Sequence, residues 1–311
     1  MRAAAIDRFG GPEVLTMHSL PVPPIGPGDM LIAVHTAGVG SWDADMRAGW
    51  WPSGRPRFPL VLGTDGSGTI AAVGARVRRL TRGDEVYAYS FANPKGGFYA
   101  EYVAVAAERA ARIPRLLDLR RAGAIACTGL TALQGIDDAL HVREGEAVIV
   151  HGASGGVGTL AVQFAKWRGA RVFATASGRD GVALARKLGA DVAVDGQDIL
   201  REARAFAPDG VDAVLALVGG KGLTSCIAAL RPGGRLAFPN GIEPEPRKKR
   251  GLKMVRYDGT PGVREFQRLE GAVDGAKLKV PIGAVFPLAQ ARQAHERVAG
   301  HVLGKIVLRV H

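Results

Sequence analysis

A glycine-rich segment, residues 151–158, offers a row of backbone groups for binding. It reads HGASGGVG and stands between an apolar run, 146–152, and a stretch whose apolar side chains recur at helical spacing. Glycines at such a turn let backbone N–H groups approach a phosphate, and the positive end of the following helix attracts the negative charge. The spacing differs from GxGxxG, but its place at the first turn of an alternating strand–helix sequence predicts a dinucleotide site rather than a structural turn. The residues predicted to form the site are Ser154, Gly155, Gly156, Val157 and Gly158, whereas His151 is predicted to be structural.

The end of the next strand predicts which dinucleotide binds. Residues 171–176 form that strand, and Ser177, Gly178, Arg179 and Asp180 follow it. An acidic side chain at this place would hold the ribose 2′-hydroxyl of NAD and repel a 2′-phosphate. The Ser177 hydroxyl and the Arg179 guanidinium suit that phosphate, because arginine offers a charge and several donors. We therefore expect NADP(H) rather than NAD(H), with Asp180 weakening the preference if it points inward.

The chain divides into two regions that differ in their pattern of elements. Up to about residue 118, short strands separated by Gly and Pro predict an antiparallel, barrel-like β region. From about residue 119, strands alternate with helices, as a parallel sheet with crossover helices requires. The strands predicted in the first region are 30–39, 67–77, 83–89 and 100–106. In the second region we predict strands at 146–152, 171–176, 191–194, 211–218, 235–239 and 253–257, helices from Val157 to Gly169 and at 180–190, 198–207 and 221–230, and a turn at 231–234. Six strands in this rhythm predict a doubly wound sheet, and the tail, 279–310, is expected to rejoin the β region.

Composition limits the class of protein. The 311 residues accommodate about two domains, and 47% hydrophobic with 23% charged residues exclude bulk disorder, a coiled coil and a collagen-like fibre. No apolar run approaches the roughly 20 residues of a membrane helix, and the N-terminus reaches Asp7 before an apolar signal core forms. Cys127 and Cys226 lie far apart in apolar surroundings, which fits buried thiols in a reducing compartment. We expect a cytoplasmic protein with no membrane partner.

The chain is strongly basic. A formal net charge of +12 attracts polyanions in general and names no partner by itself. The one dense basic run, Arg247 to Arg250 (RKKR), lies in a Pro-rich stretch. A solvated loop is the favoured interpretation of this run, and a contact with nucleic acid or a nucleotide phosphate is the alternative.

Several motifs, taken in order, resemble one family. The segments are AGVGSWDADMRAGW (37–50), LVLGTDGSGTI (60–70), GGFYAEYVAV (96–105), GLTALQGI (129–136), HGASGGVGTLAVQFAK (151–166) and GKIVL (304–308). They resemble the medium-chain dehydrogenase/reductase superfamily, and most closely its zinc-free quinone oxidoreductase branch, the zeta-crystallin type. The resemblance implies an α/β protein with a GroES-like β-barrel catalytic domain (1–118 and 259–311) and a Rossmann NADP-binding domain (119–258). It further implies NADPH in the cleft between the domains, a homodimer, and hydride transfer to quinones or to the C=C bond of α,β-unsaturated carbonyls.

The same resemblance predicts that no metal takes part. The zinc branch of the superfamily would need Cys and His where Gly40 and Ser41 stand, and His and Glu where Thr64 and Asp65 stand. These residues do not form a good zinc ligand set. Alcohol oxidation usually depends on a Lewis acid that polarises the alcohol oxygen. Reduction of a conjugated acceptor does not need one, because the developing negative charge is spread to an oxygen.

The resemblance also indicates cleft residues. Asp43, Thr131 near the nicotinamide, and Asn240-Gly241 after the fifth strand are its nearest correspondences, and for each a local structural role is the alternative. The tryptophans at 42, 50 and 51 form either an aromatic wall for a planar substrate or packing between domains. Asp43, Trp51 and Thr131 are the predicted catalytic residues.

The sequence departs from family habit at several of these positions. Gly40 replaces a frequent Asn, Asp45 and Trp51 lie near positions often held by Tyr, and Gly196 stands where a Tyr or His often contacts the adenosine phosphate.

Three functions are compatible with these observations. The leading one is an NADPH-dependent, metal-independent reductase of quinones or enones. The second is a related reductase of another activated carbonyl. The third is a non-catalytic NADPH-binding protein that uses its basic surface to bind RNA or another polyanion.

Overall fold

A computed structural model describes residues 1–52, 54–300 and 302–311 of the chain. Contacts divide it into two compact units. The first unit contains Met1–Cys127, Pro261–Gly271 and Ile282–His311, and the second contains Thr128–Thr260 and Ala272–Pro281. Residues 119–127 therefore group with the first unit and residues 272–281 with the second, which differs from the boundaries expected at 118/119 and 258/259.

The first unit is built on two sheets. The smaller is antiparallel with strand order β2-β1-β4, and the larger has the order β15-β16-β3-β5-β6-β8, with β7 also pairing with β3. The strands are β1 (Arg2–Ile6), β2 (Thr16–Ser19), β3 (Asp29–Val39), β4 (Leu60–Val61), β5 (Asp65–Val73), β6 (Glu85–Tyr89), β7 (Tyr102–Ala106), β8 (Ala110–Arg112), β15 (Ile282–Pro287) and β16 (Lys305–Arg309). Side chains of β3 alternate between buried and half-buried up to Thr36, as a strand with one core face requires. The chain's last strand, β16, pairs antiparallel with β3, so the tail rejoins the N-terminal β region as predicted.

The second unit contains a six-stranded parallel sheet with the order β11-β10-β9-β12-β13-β14. Its strands are β9 (Ala147–His151), β10 (Arg171–Thr175), β11 (Val192–Val194), β12 (Val211–Ala216), β13 (Leu230–Pro239) and β14 (Lys253–Tyr257). Every residue of β9 is buried, because helices cover both faces of a parallel sheet. The order reverses between β9 and β12, which is the doubly wound topology predicted from the sequence.

Eight α-helices connect these strands within the described residues. They are α1 (Ser41–Ala48), α2 (Leu119–Gln134), α3 (Gly156–Trp167), α4 (Gly178–Lys187), α5 (Ile199–Phe206), α6 (Lys221–Ala228), α7 (Val263–Gly275) and α8 (Ala291–Val298). A π-helical turn, Gly135–Ala139, continues α2. The sequence pattern predicts no helix at α1, α2 or α7.

One strand begins earlier than expected. The sequence predicts a turn at 231–234 and a strand from 235, whereas β13 already begins at Leu230. Leu230 pairs with Val211, and pairing then resumes at Arg235 with a register shift. Gly233, at φ +74°, allows the chain to bulge there without breaking the strand.

Candidate functional site

The glycine loop lies between β9 and α3 in the second unit. Gly152 has φ +89°, which a side chain would strain. A Cβ on Gly158 would lie 2.2 Å from the Gly152 carbonyl oxygen and 2.7 Å from Ala153 Cα, so only glycine permits the helix to start this close to the loop. Gly155 is the N-cap of α3 and provides no side-chain cap. The first N–H groups of α3, at Gly156 to Gly158, are therefore available to an anion.

Thr175 of the neighbouring strand holds this loop in place through its backbone and its side chain. The backbone N–H groups of Gly152 and Ala153 donate to the Thr175 carbonyl oxygen at 3.2 and 2.8 Å. The Thr175 hydroxyl also contacts His151 Nδ1 at 2.6 Å. Burial lowers the pKa of His151 to about 4, so its ring is neutral at physiological pH. These contacts support the structural role predicted for His151.

Ser177 and Arg179 follow the end of β10. Ser177 is the N-cap of α4, but its side chain makes no capping hydrogen bond. Both side chains are exposed, and Arg179 forms no ion pair with any residue that the structure describes. Both side chains thus lie exposed at the carboxyl end of this strand, and their contact with a 2′-phosphate stays a prediction. Asp180, in the first turn of α4, is also exposed.

Asn240 and Gly241 come directly after β13, at the same edge of the sheet. The Asn240 amide donates to the Asp258 carboxylate, and Gly241 has φ +86°. Val218, after β12, lies next to the glycine loop and is 46% exposed, with Cγ1 3.2 Å from where a Gly152 Cβ would be. Sequence reasoning missed Val218. An apolar side chain exposed at the switch point suits a planar ring of a dinucleotide, and the LVGG turn that follows the strand was its signal.

Thr131 lies on α2 in the second unit, and a neighbouring segment holds it closely. The Tyr257 hydroxyl donates to the Thr131 carbonyl oxygen at 2.9 Å. A Cβ on Gly259 would lie 2.5 Å from Thr131 Oγ1, so the chain passes directly over this side chain. One turn further along α2, the Gln134 side chain exchanges two hydrogen bonds with the Thr260 backbone, at 2.8 and 3.0 Å. These contacts fix the position of Thr131, and no local sequence pattern predicts them.

Asp43 lies in the first unit and is completely buried. Its Oδ2 accepts the Gly40 N–H at 2.8 Å, and its Oδ1 accepts the Thr64 hydroxyl at 2.8 Å. Burial raises the pKa of Asp43 to about 6, against the opposing effect of the Lys305 ammonium. The carboxyl therefore holds the start of α1 and has no exposed surface, and its predicted catalytic role stays a prediction.

A second buried carboxyl, Asp65, lies beside the ammonium of Lys305. Asp65 Oδ1 and Lys305 Nζ are 3.8 Å apart, and the two side chains are 0% and 4% exposed. The ammonium also lies 4.6 Å from the centroid of the Trp42 ring. Asp65 Oδ2 accepts the Cys127 N–H at 2.9 Å. Burial raises the pKa of Asp65, while the Lys305 charge lowers it. Sequence reasoning missed Lys305, whose partner comes from the other end of the chain.

The residues at this place do not fit a zinc ion. Gly40 has no side chain, the Thr64 hydroxyl is engaged by Asp43, and Asp65 is paired with an ammonium. Within the part of the chain that the structure describes, no cluster of three or more His, Cys, Asp or Glu side chains could hold a metal ion.

Trp51 borders a small cavity of about 10 Å³ in the first unit. Thr64 and Asn93 provide polar side chains in its lining, and Met46 and Val61 provide apolar ones. Trp42 and Trp50, the other tryptophans of this segment, have different neighbours. Trp42 faces Lys305, and Trp50 is 53% exposed with its ring centroid 5.8 Å from that of Phe91. Of Trp42, Trp50 and Trp51, it is Trp51 that borders this cavity, which Thr64 also lines.

The basic run and the two cysteines lie where the sequence analysis expects them, in an exposed loop and in the interior. The basic run 247–250 is exposed in the loop between β13 and β14, as a solvated loop would be. Cys127 and Cys226 are buried and form no disulfide within the described residues, and burial raises the pKa of Cys226 to about 12. Across the described ranges, no helix is long and apolar enough to cross a bilayer.

Comparison with known proteins shows which family has this architecture. The family model of the alcohol dehydrogenase GroES-like domain matches residues 26–115, and that of the zinc-binding dehydrogenase matches residues 156–254. The quinone oxidoreductase of Rattus norvegicus is 32% identical over 328 residues, which cover 99% of this chain and 97% of that protein.

Solved structures have the same fold over the full length of the chain. An NAD-dependent alcohol dehydrogenase is 34% identical with a TM-score of 0.92, and a mycobacterial protein complexed with NADPH is 29% identical with a TM-score of 0.89. Both matches cover 100% of this chain and 100% of the other. A GroES-like β domain and a doubly wound sheet with a glycine loop define an oxidoreductase that uses a nicotinamide cofactor. The chain belongs to the medium-chain dehydrogenase/reductase superfamily, in its quinone oxidoreductase branch.

Proposed function

We propose that this protein uses NADPH to reduce quinones or the C=C bond of α,β-unsaturated carbonyls, without a metal. The observation that carries the proposal is the glycine loop after β9. A Cβ on Gly158 would collide with this loop, and α3 begins there without a side-chain cap. The cofactor, when bound, supplies a hydride. The free Arg179 and Ser177 after β10 support the 2′-phosphate form of that cofactor.

The roles proposed for the cofactor-binding residues follow from their positions. Ser154 to Gly158 would hold the pyrophosphate through backbone N–H groups and the positive end of α3. Ser177 and Arg179 would hold the 2′-phosphate. Asn240 and Gly241 would border the cofactor at the end of β13, and Thr131, held by Tyr257, would contact the nicotinamide.

The proposed substrate class follows from the buried groups of the first unit. Where a metal would polarise an alcohol oxygen, this chain has a threonine and a carboxylate–ammonium pair. Hydride addition to a conjugated acceptor does not need a Lewis acid, because the negative charge is spread to an oxygen that modest donors stabilise. Trp51 would supply the apolar surface against a planar substrate.

The test is NADPH oxidation, followed by absorbance, against a panel of quinones, enals, enones and saturated ketones, with and without a chelator. An arm with alcohols and NAD⁺ tests the activity named for the alcohol dehydrogenase with a similar structure. We expect turnover of conjugated acceptors that is insensitive to the chelator. Chelator-sensitive turnover, activity confined to alcohols, or comparable Michaelis constants for NADPH and NADH would each contradict part of the proposal.

We also propose a homodimer, as the resemblance implies. The strand β14 lies at the end of its sheet, and Val255 in the middle of it is 39% exposed. An open strand edge with an exposed apolar residue is suited to pairing with a second copy. Light scattering measures the mass, and a monomer at micromolar concentration would refute this part.

A further inference from the structure

Asp43 contacts a group that can take up a proton through its Oδ1 atom. Oδ2 accepts the Gly40 N–H, which only donates. Oδ1 lies 2.8 Å from Thr64 Oγ1. A hydroxyl both accepts and donates. When Oδ1 is protonated it can donate to Thr64, which frees the hydrogen of Thr64 for another acceptor.

Tyr99 also contacts Asp43, and it begins a second chain of side chains that continues to His295 and Arg47. Arg47 only donates, and its Nη1 contacts His295 Nδ1 at 2.9 Å, so the ring hydrogen of His295 resides on Nε2. His295 Nε2 in turn donates to the Tyr99 hydroxyl oxygen at 3.1 Å. Tyr99 stays neutral, because burial and the charges of Asp43 and Asp65 raise its pKa well above the usual value. This chain of contacts ends at Arg47, which cannot release a proton.

The charges around Asp43 favour binding of one proton. Asp43 and Asp65 are two buried carboxyls, and among the described residues Lys305 is the one ammonium beside them. With both carboxyls ionised the group carries a net negative charge in the interior, which is costly. Lys305 lies 3.8 Å from Asp65, and this charge favours the ionised form of that carboxyl. Asp43, whose Oδ1 contacts a hydroxyl, is then the carboxyl that we assign the proton to.

Thr64 is also one of the residues that line the cavity beside Trp51. A volume of about 10 Å³ is close to what one water molecule needs, and Thr64 and Asn93 provide polar partners in the lining. Thr64 is thus in contact with the buried carboxyl on one side and with a place for one water molecule on the other.

We propose that Asp43 and Thr64 form a proton relay that supplies, through one water molecule in the cavity beside Trp51, the proton needed after hydride transfer. The inference rests on the proposed function, in which the electrophile gains a hydride with its electron pair at a conjugated carbon. The resulting enolate or oxyanion takes a proton from the water, the water takes the hydroxyl proton of Thr64, and Thr64 takes the proton from Asp43 Oδ1. Asp43 is left as a carboxylate and regains a proton along the same route before the next turnover.

The first experiment removes the Thr64 hydroxyl. Thr64→Val keeps the shape of the side chain, Thr64→Ser keeps the hydroxyl, and Thr36→Val makes the same change at a buried threonine of β3 whose hydroxyl contacts His35. General acid catalysis contributes about 10²–10⁴-fold, so we expect kcat of Thr64→Val to fall at least about 10²-fold. Thr64→Ser and Thr36→Val should stay within a few-fold of the unchanged protein, and NADPH affinity, measured by fluorescence, should be unchanged in all three. A Thr64→Val variant that retains half of the turnover, or a Thr64→Ser variant that does not rescue it, would overturn the relay.

The second experiment follows the proton itself. Because Asp43 has a pKa of about 6, the relay is loaded below that pH, and kcat/KM should fall about tenfold per pH unit above it. The groups facing Asp43 are Lys305, Asp65, Tyr99 and, through Tyr99, His295 and Arg47. Asp43→Asn keeps an oxygen for Gly40 N–H but releases no proton, so the variant should be slow and lack this limb.

An infrared difference spectrum between pH 5 and pH 7 separates the relay from the proposed function. It should contain a protonated-carboxyl band that disappears in Asp43→Asn and shifts in Thr64→Val. Absence of that band refutes the relay whether or not the protein turns over. An unchanged protein that shows the band but oxidises no NADPH with any member of the panel refutes the proposed function instead.

Discussion

Replacing Lys305 by Met should strongly destabilise the first unit. The ammonium is 4% exposed and lies 3.8 Å from the fully buried Asp65 carboxyl. Methionine retains an unbranched apolar side chain against the Trp42 ring but removes the charge. Asp65 would then be left in the interior with the Cys127 N–H as its one described hydrogen-bond donor. Removing one partner of a buried pair costs about 3–5 kcal/mol, because the remaining charge is uncompensated. We expect the free energy of unfolding to fall by about this amount.

The pH dependence of this loss has a definite sign. In the folded protein the pKa of Asp65 is already raised by burial, and removing the ammonium raises it further. A group whose folded pKa lies above the unfolded value of about 3.9 contributes stability below that value and loses it as the pH rises through the folded pKa. Lys305→Met should therefore be more destabilising at pH 8 than at pH 5.

A double-mutant cycle with Asp65→Asn checks the reasoning. Asparagine can still accept the Cys127 N–H through its oxygen, but it leaves no stranded charge, so the double variant should recover more than half of the loss. Urea unfolding followed by tryptophan fluorescence is suited to the test, because Trp42, Trp50 and Trp51 belong to the first unit. A loss below about 1 kcal/mol in Lys305→Met, with additive effects in the double variant, would show that the two groups are not a coupled buried pair.

Three further predictions concern binding and turnover. Gly158→Ala places a Cβ 2.2 Å from the Gly152 carbonyl oxygen, so NADPH affinity, measured by calorimetry, should fall at least about tenfold. The control Gly271→Ala, whose Cβ would meet open space, should leave NADPH affinity unchanged. Arg179→Gln should weaken NADPH binding by about 10- to 100-fold, since hydrogen bonds to charged groups contribute roughly 1.5–3 kcal/mol, and should leave NADH binding alone; an equal loss for both cofactors would contradict the 2′-phosphate role. Trp51→Ala should reduce turnover to an extent that depends on the substrate, with unchanged NADPH affinity, and an unaffected variant would remove the aromatic contact.

The sequence predicts the second unit better than the first because its signals are local. A strand, a glycine turn and a helix follow one another at residues 147–167, and each leaves its own pattern in adjacent residues. The early start of β13 was missed because residues 231–234 do look like a turn. They form a bulge inside the strand, with Gly233 at φ +74°, and only pairing with β12 reveals it.

The helix α2 was missed for a different reason. Helical periodicity is visible when one face is polar, but residues 122–136 are buried throughout. A helix surrounded by protein on all sides has no polar face, so its apolar residues show no period. The boundary of the first unit at Cys127 lies inside this helix, which explains why a change in pattern at residue 119 could not locate it.

The contacts of the candidate site could not be predicted, because they join distant parts of the chain. Tyr257 and Thr131 are 126 residues apart, and Asp65 and Lys305 come from opposite ends of the chain. The identity of Asp43 as a site residue came from family resemblance alone. Its complete burial became evident only when the Gly40 and Thr64 contacts were seen. A residue type can be read from the sequence, whereas its hydrogen-bond partners depend on the fold.

The replacement of metal ligands by a threonine and a charge pair has a chemical consequence for the proposed reaction. A metal stabilises an oxyanion without a proton, so a chain that lacks the ligands must either leave the charge to solvent or provide a proton from within. Thr64 and Asp65 occupy two of the positions where the zinc branch has its ligands, and Asp43 contacts Thr64 directly. The same part of the first unit would then stabilise the same oxygen, with a proton from Asp43 in place of a cation. A proton relay would stabilise the oxyanion less than a metal cation. The substrates would therefore be restricted to acceptors whose conjugation already spreads the negative charge.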